Sequence, residues 1–221
     1  MCRRPRRWEA ARSLSPLIPL TDVRHPRGRP GDLLAQLRAG TRAAHDHIEG
    51  ALGLLNPTLS MARYGIILAQ FRSVYAPLEA QLAAFDWTDH GLDLESRRKL
   101  PSIDADLYAL GWSEPALIPS VPFAPDLERN RARAFGCLYV LEGATLGGQV
   151  ISRHLRARLG IAPGTGGTFF HGYGERTGPM WTTFREAMER FAARAPDADC
   201  AVAAARQTFE ALQQAIEGHP K

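Results

Sequence analysis

Residues 138–150, Leu-Tyr-Val-Leu-Glu-Gly-Ala-Thr-Leu-Gly-Gly-Gln-Val, constrain this chain more than any other stretch. They read as helix, yet Gly143, Gly147 and Gly148 lie inside it. A glycine in a helix interior costs roughly 1 kcal/mol against alanine, because it surrenders the most backbone freedom on folding. Three of them form a destabilising pattern that local propensity does not repay. Gly143 and Gly147 are four apart and so strip side chains from one face of the helix. Two readings remain open: another helix pressing close against that face, or a flat ligand lying on bare backbone.

A second helical stretch carries candidate ligands. Leu34, Leu37, Thr41, Ala44, Ile48, Leu52 and Leu55 recur at spacings of three and four, which makes one buried stripe. His45 lies on that stripe beside Ala44 and Ile48. His47, about 200° further around the helix, faces outward. Arg42 and Arg38 precede His45 by one and two turns on nearly the same side, where guanidinium groups suit anionic substituents of a ligand held at the imidazole. Glu49, one turn after His45, is placed to accept the other ring N–H, as the outer partner of a metal-bound histidine does. The alternatives are a hydrogen-bonded core histidine and a solvated arginine face with Arg42 paired to Asp46.

Together these stretches resemble the heme oxygenase family. Leu37, Arg38, Thr41, Arg42, His45 and Glu49 stand in the register of that family's proximal helix. Gly143, Gly147, Gly148, Gln149 and Val150 match the glycine-bearing distal helix. A third stretch, Gly172 to Arg185, looks like the bacterial members found with bacteriophytochromes. The resemblance covers about residues 32–217, and its three motifs come in the right order. It implies an all-α, single-domain helical bundle with heme between proximal and distal helices. The implied reaction is oxidative opening of heme to biliverdin, carbon monoxide and iron, with heme as both substrate and cofactor. Dioxygen and an external electron donor, such as reduced ferredoxin or ascorbate, complete it, and the bilin would supply a bacteriophytochrome. His45 would ligate iron with Glu49 orienting the ring. Arg38, Arg42 and Arg185 would contact the propionates, and Gly143, Gly147 and Gly148 would let the distal helix approach the iron.

Two positions depart from the animal members of the family. The aspartate that organises distal water there is Ala144 here, so the proton route is open. The often basic position before Arg185 is Trp181. Glu142 lies off the glycine face and reads as a structural ion pair rather than a substitute. His154 falls too far along the axis to reach the same ligand. A non-degrading heme-binding protein is the alternative that Ala144 raises. A thiaminase-like hydrolase using Cys137 is a third, set against Cys137 as a small buried apolar residue.

The rest of the chain sets bounds. At 221 residues and 45% hydrophobic content it can bury a core as one domain. The formal charge of +4 belongs to residues 1–30, where eight arginines face only Glu9 and Asp22. Residues 31–221 are therefore slightly acidic, and the body is not a nucleic-acid binder. The proline-rich arm at 1–30 reads as disordered, the rest as the heme-oxygenase-like domain. Three scattered cysteines, Cys2, Cys137 and Cys200, form no metal pattern or disulfide framework, which suits a reducing cytoplasm. No apolar run reaches the ~20 residues of a membrane span. Helices are expected from Asp32 to Leu52, Ser60 to Phe85, Leu92 to Leu110 with an interruption near Pro101, Asp126 to Leu159, Pro179 to Ala193, and from Pro196-Asp197 to near Gly218. Prolines make 111–125 a loop, and glycines make 160–178 an irregular connection.

Overall fold

The computed structural model describes residues 32–114, 118–119, 125–194 and 197–218, and among these it holds helices and turns without strands. The arm at 1–30 lies outside the described residues, as do Cys2, Pro196 and the prolines at 115 and 122.

Seven α-helices follow in order: α1 Leu33–Leu52, α2 Met61–Leu82, α3 Leu100–Ala109, α4 Arg131–Leu159, α5 Thr168–His171, α6 Thr177–Arg194 and α7 Ala198–Glu217. Their ends have local causes. Asp32 caps α1 by accepting the Leu34 N–H at 2.9 Å, and Gly53 closes it in the left-handed conformation. Ser60 caps α2 through the Arg63 N–H. Asp197 caps α7 through the Cys200 N–H.

Helix α2 ends at Leu82 rather than Phe85 and α6 begins at Thr177 rather than Pro179, and two further expectations change for a clear local reason. The distal helix starts at Arg131 with Asn130 as its cap, not at Asp126. Glu128 and Arg129 have φ of 50° and 54°, a left-handed step that no right-handed helix can cross. Asp126 instead accepts the Glu128 N–H and shapes that turn. Pro101 does not interrupt a helix; it sits in the first turn of α3, where its missing N–H costs nothing. The stretch ahead of it is a 3-10 turn, Glu95–Arg97. The glycine-rich connection after α4 also holds order of its own: Asp106 accepts the Thr168 and Phe169 N–H groups at 2.8 and 2.7 Å and so caps the single turn of α5.

Helix α7 is the shared support. It packs most extensively along α4 and α1, and further against α2. Its inner face is small: Ala201, Ala204, Ala205, Thr208, Ala211 and Ala215 are buried. That face lets backbones meet. A Cβ on Gly136 would overlap the Ala201 carbonyl, and a Cβ on Gly40 would press into Val202. Helix α4 is long and apolar enough to cross a membrane by composition alone, but 56% of that stretch is buried, with α7, α5 and α6 packed against α4.

Gly136→Ala should therefore destabilise the fold by about 1–3 kcal/mol, the usual cost of forcing extra atoms into a packed contact. Denaturant unfolding measures it; an unchanged midpoint would show that α4 and α7 can part freely.

Candidate functional site

The stripe of α1 is buried at Leu33, Leu37, Thr41, Ile48 and Leu52. It opens between Thr41 and Ile48, where Ala44 and His45 are only half-buried. His45 keeps 25% of its side-chain surface and leans edge-on against Phe209 of α7, with ring centroids 6.1 Å apart. The apolar stripe thus carries its imidazole at a half-buried stretch of the helix. His47 points out, as its position predicts, and bonds Glu217 at 2.7 Å.

Two carboxylates flank the imidazole. Glu49 Oε1 lies 3.7 Å from Nε2, and Asp46 Oδ1 lies 3.8 Å from Nδ1. With the ring as placed Glu49 faces Nε2, and neither distance is a hydrogen bond. A half-turn of the ring exchanges the two nitrogens, so either can be backed by a carboxylate.

The distal helix divides its glycines between the two readings the sequence left open. Gly148 is a packing glycine: a Cβ there would overlap the Phe170 carbonyl of α5. Gly143 is the opposite. A Cβ on it meets nothing within 4 Å among the described residues. Its half-buried backbone therefore faces open space at a position where packing would have preferred a side chain. Gly147 is also half-buried, and Ala144 is exposed.

One turn before Gly143, Tyr139 crosses to α1. Its hydroxyl lies beside the Thr41 side chain, whose own hydroxyl donates to the Leu37 carbonyl at 2.7 Å, and near Arg38. Burial pushes the Tyr139 phenol up from its ordinary value, while Thr41 and Arg38 pull it back. One turn beyond this contact on each helix stand His45 and Gly143, both open. Arg38 is half-buried at this cleft and Arg42 is exposed.

Helix α6 supplies a third wall. Trp181 is buried, with its ring 6.3 Å from that of Tyr139. Arg185, one turn on, lines a cavity of about 370 Å³ with Leu33 and Leu34 of α1. Trp181 Nε1 and Arg185 Nε are both buried and have no hydrogen-bond partner among the described residues. Buried donors are nearly always paired, so two orphans one turn apart mark a place for an acceptor. Sequence reasoning found Arg185 but not Tyr139 or Trp181. Their signal was an aromatic one turn before Gly143 and another one turn before Arg185.

Cys137 does not belong to the site. It is fully buried under α7, and burial pushes its thiol up to about 12. A thiol kept protonated is no nucleophile, which removes the hydrolase reading. His154 is likewise apart, on the last turns of α4.

The family model for heme oxygenase matches residues 31–217. The chain belongs to the heme oxygenase family. A heme oxygenase of Xanthomonas campestris pv. campestris (strain 8004) is 37% identical over 95 residues, which is 43% of this chain and 54% of that relative. The matched segment thus spans about half the length of that relative. The fold is that of solved heme oxygenases. The enzyme of Neisseria meningitidis, solved with NO and CO bound, superposes with a TM-score of 0.73 at 19% identity, over 85% of this chain and 91% of that one. Heme oxygenase-1 of Synechocystis, in complex with heme, gives 0.69 at 16% identity over 85% and 91%. The enzyme of Leptospira interrogans gives 0.67 at 19% identity over 85% and 100%.

Gly143→Ala should stabilise the ligand-free protein by up to about 1 kcal/mol, since alanine enters open space and replaces a helix-interior glycine. Thermal and denaturant unfolding would register it. A loss of stability instead would mean that the space beside Gly143 is already filled.

Proposed function

We propose that this protein binds heme in the cleft between α1, α4 and α6 and cleaves it oxidatively to biliverdin, carbon monoxide and iron. The observation that supports the reading is the open backbone at Gly143, one turn past Tyr139, whose hydroxyl lies beside Thr41 of α1 and whose ring neighbours Trp181, while the half-buried His45 stands one turn past Thr41. A packing glycine would have been covered, as Gly148 is. The residues fit the macrocycle on chemical grounds as well. One imidazole, a bare helix face and cationic or N–H donors at one end are what a flat iron-bearing dianion requires.

Bound heme supplies the redox chemistry, drawing on dioxygen and electrons from an external donor such as reduced ferredoxin or ascorbate. The protein supplies placement. His45 would hold the iron of bound heme, and Glu49 or Asp46, 3.7 and 3.8 Å from its ring nitrogens, would orient the ring. Arg38, Arg42 and Arg185 take the propionates, joined by the Tyr139 hydroxyl and the Trp181 indole. The absence of a side chain at Gly143, and at Gly147 one turn on, would let the macrocycle lie against the helix backbone. Position 144 offers no carboxylate, so the proton is delivered by water held at backbone carbonyls of this segment. Two free cysteines, Cys137 and Cys200, accord with a reducing cytoplasm. The chemical destination of the bilin is a protein that uses it as chromophore, such as a bacteriophytochrome.

Hemin added to the purified protein should give a sharp Soret band. Reductant under oxygen should then replace it with bilin absorbance. A stable heme complex that yields no bilin under any reductant would make the protein a heme binder rather than an oxygenase.

His45→Ala should preserve the fold and abolish turnover, with partial recovery on adding imidazole, because the variant leaves a cavity beneath the iron. His47→Ala should change activity little and stability by no more than about 0.5 kcal/mol, as exposed pairs contribute little. Equal losses in both would remove the assignment of the ligand.

Arg38, Arg42 and Arg185 replaced singly by Ala should weaken hemin binding by about 0.2–1 kcal/mol, since propionates at a cleft mouth remain hydrated. The bilin isomer ratio should move more than affinity does, because rotation of the macrocycle exposes another edge. Chromatography of the products checks it, and an unchanged ratio in all three variants would exclude the propionate contacts.

A further inference from the structure

Behind the cleft lies a group of buried charges that the proposed chemistry does not use. Glu142 is 1% exposed, and both of its oxygens are taken. Arg97 Nη1 donates to Oε2 at 2.5 Å, while the Tyr173 hydroxyl at 2.7 Å and the Lys99 ammonium donate to Oε1. Lys99 also donates to the Tyr173 hydroxyl at 2.7 Å and to the Arg97 carbonyl. Glu79, likewise buried, offsets the second positive charge and accepts the Lys99 and Leu100 N–H groups at 2.5 and 3.1 Å. Burial draws the Lys99 ammonium down from its ordinary value, and Glu142 pulls it back.

Such a group is a poor source of stability. Removing charges from water costs several kcal/mol per ion, and apolar replacements of similar volume are often neutral or better. What it supplies is geometry. Arg97 ends the 3-10 turn ahead of α3, and its planar guanidinium forks. Nη1 holds Glu142, and Nη2 donates to the Met180 carbonyl at 3.2 Å. Glu142 directly precedes Gly143, the open residue of α4. Met180 directly precedes Trp181, the orphaned indole of α6. One rigid group thus ties together the neighbours of two cleft residues on different helices. Gly143 has no side chain and no neighbour in front of it among the described residues, so its position is set from behind.

We propose that the Arg97–Glu142 pair is a positioning device for the heme reaction, setting the spacing between α4 at Gly143 and α6 at Trp181 and with it the seating of the macrocycle. This rests on the heme-cleaving reading above. The lysine and tyrosine on Oε1 hold the carboxylate in the orientation in which Arg97 reaches both helices.

Three variants test it. Arg97→Lys keeps a positive charge beside Glu142 but loses the fork that spans two partners. Glu142→Gln keeps the shape and loses the charge. The triple change Glu142→Leu, Arg97→Met, Lys99→Met removes the buried charges together and leaves Glu79 with Arg98. The triple variant should keep wild-type unfolding behaviour. In all three, amides of residues 142–145 in the ligand-free protein should exchange faster. The ferrous carbon monoxide complex should show a shifted C–O stretch, and single-turnover bilin formation should fall about ten- to a hundredfold with a mixed isomer ratio.

A merely structural role predicts otherwise: the triple variant, once stable, would match wild type in all these readouts. That result, or a folded and heme-loaded Arg97→Lys protein identical to wild type, overturns the proposal. A variant that does not fold leaves the decision to the other two. Failure of wild type to take up hemin would sink both the heme reading and this one. A wild type that cleaves heme beside indistinguishable variants sinks this one alone.

Discussion

The close contact of α4 with α7 at Gly136 and Ala201 is the constraint on which the rest of the molecule depends. Neither helix could sit as it does with a larger residue there, because backbone carbonyl already occupies the place of a Cβ. The contact makes α7 common support for α4 and α1. With both helices resting on α7, they approach each other where Tyr139 lies beside Thr41, and His45 is left only half-buried. The openness at His45 and Gly143 thus goes with where the tightest packing lies, on the α7 side. Small residues are spent on the α7 side, and side-chain volume is withheld on the other.

Along α4 the same residue type does two opposite things, and only the neighbours tell them apart. Gly136 and Gly148 are glycines because another backbone is already there. Gly143 is glycine although no described residue reaches the place of its Cβ. A helix accepts the propensity cost of the first kind for packing, and the gain returns as buried surface. The second kind returns nothing to the ligand-free fold. It is therefore the position where stability and function part company. The unpaired Trp181 Nε1 and Arg185 Nε share this character: each is a cost to the empty protein that an acceptor in the cleft would offset.

What could be read from the sequence follows from how local each signal is. The α1 stripe, its Asp32 cap, the outward His47 and the inward His45 rest on periodicity within one helix, and all appear in the structure. The start of α4 was misplaced because Asp126 and Asn130 are equally good caps; only the left-handed backbone at Glu128 and Arg129 decides between them. The turn of α5 was missed because its cap is Asp106, more than sixty positions away. The glycines were legible as unusual but not as two kinds, since Ala201 and Phe170 reach them from other helices. Trp181 stood out only as a departure from a basic position, and its orphaned N–H is a fact of packing. Glu142 was correctly placed off the glycine face, but its partners come from two distant segments, Arg97–Lys99 and Tyr173, and no spacing announces them.

The held state of Glu142 bears on the chemistry left open by Ala144. A carboxylate one residue from the cleft is the obvious substitute for one missing from the cleft itself. It cannot act as such. Its oxygens are engaged by an arginine, a lysine and a tyrosine, and turning it toward Gly143 would strand the Arg97 and Lys99 charges in the core. Leaving a buried charge without its partner costs about 3–5 kcal/mol, more than one hydrogen bond to water could return. Its backbone carbonyl is engaged as well, by the Thr145 hydroxyl at 2.7 Å. A carboxylate fixed behind the helix governs where the backbone lies. On the heme reading, proton delivery on the open side then falls to water held by the remaining carbonyls around Gly143. The two tasks that one acidic residue might have shared are divided between a locked side chain and an unadorned backbone.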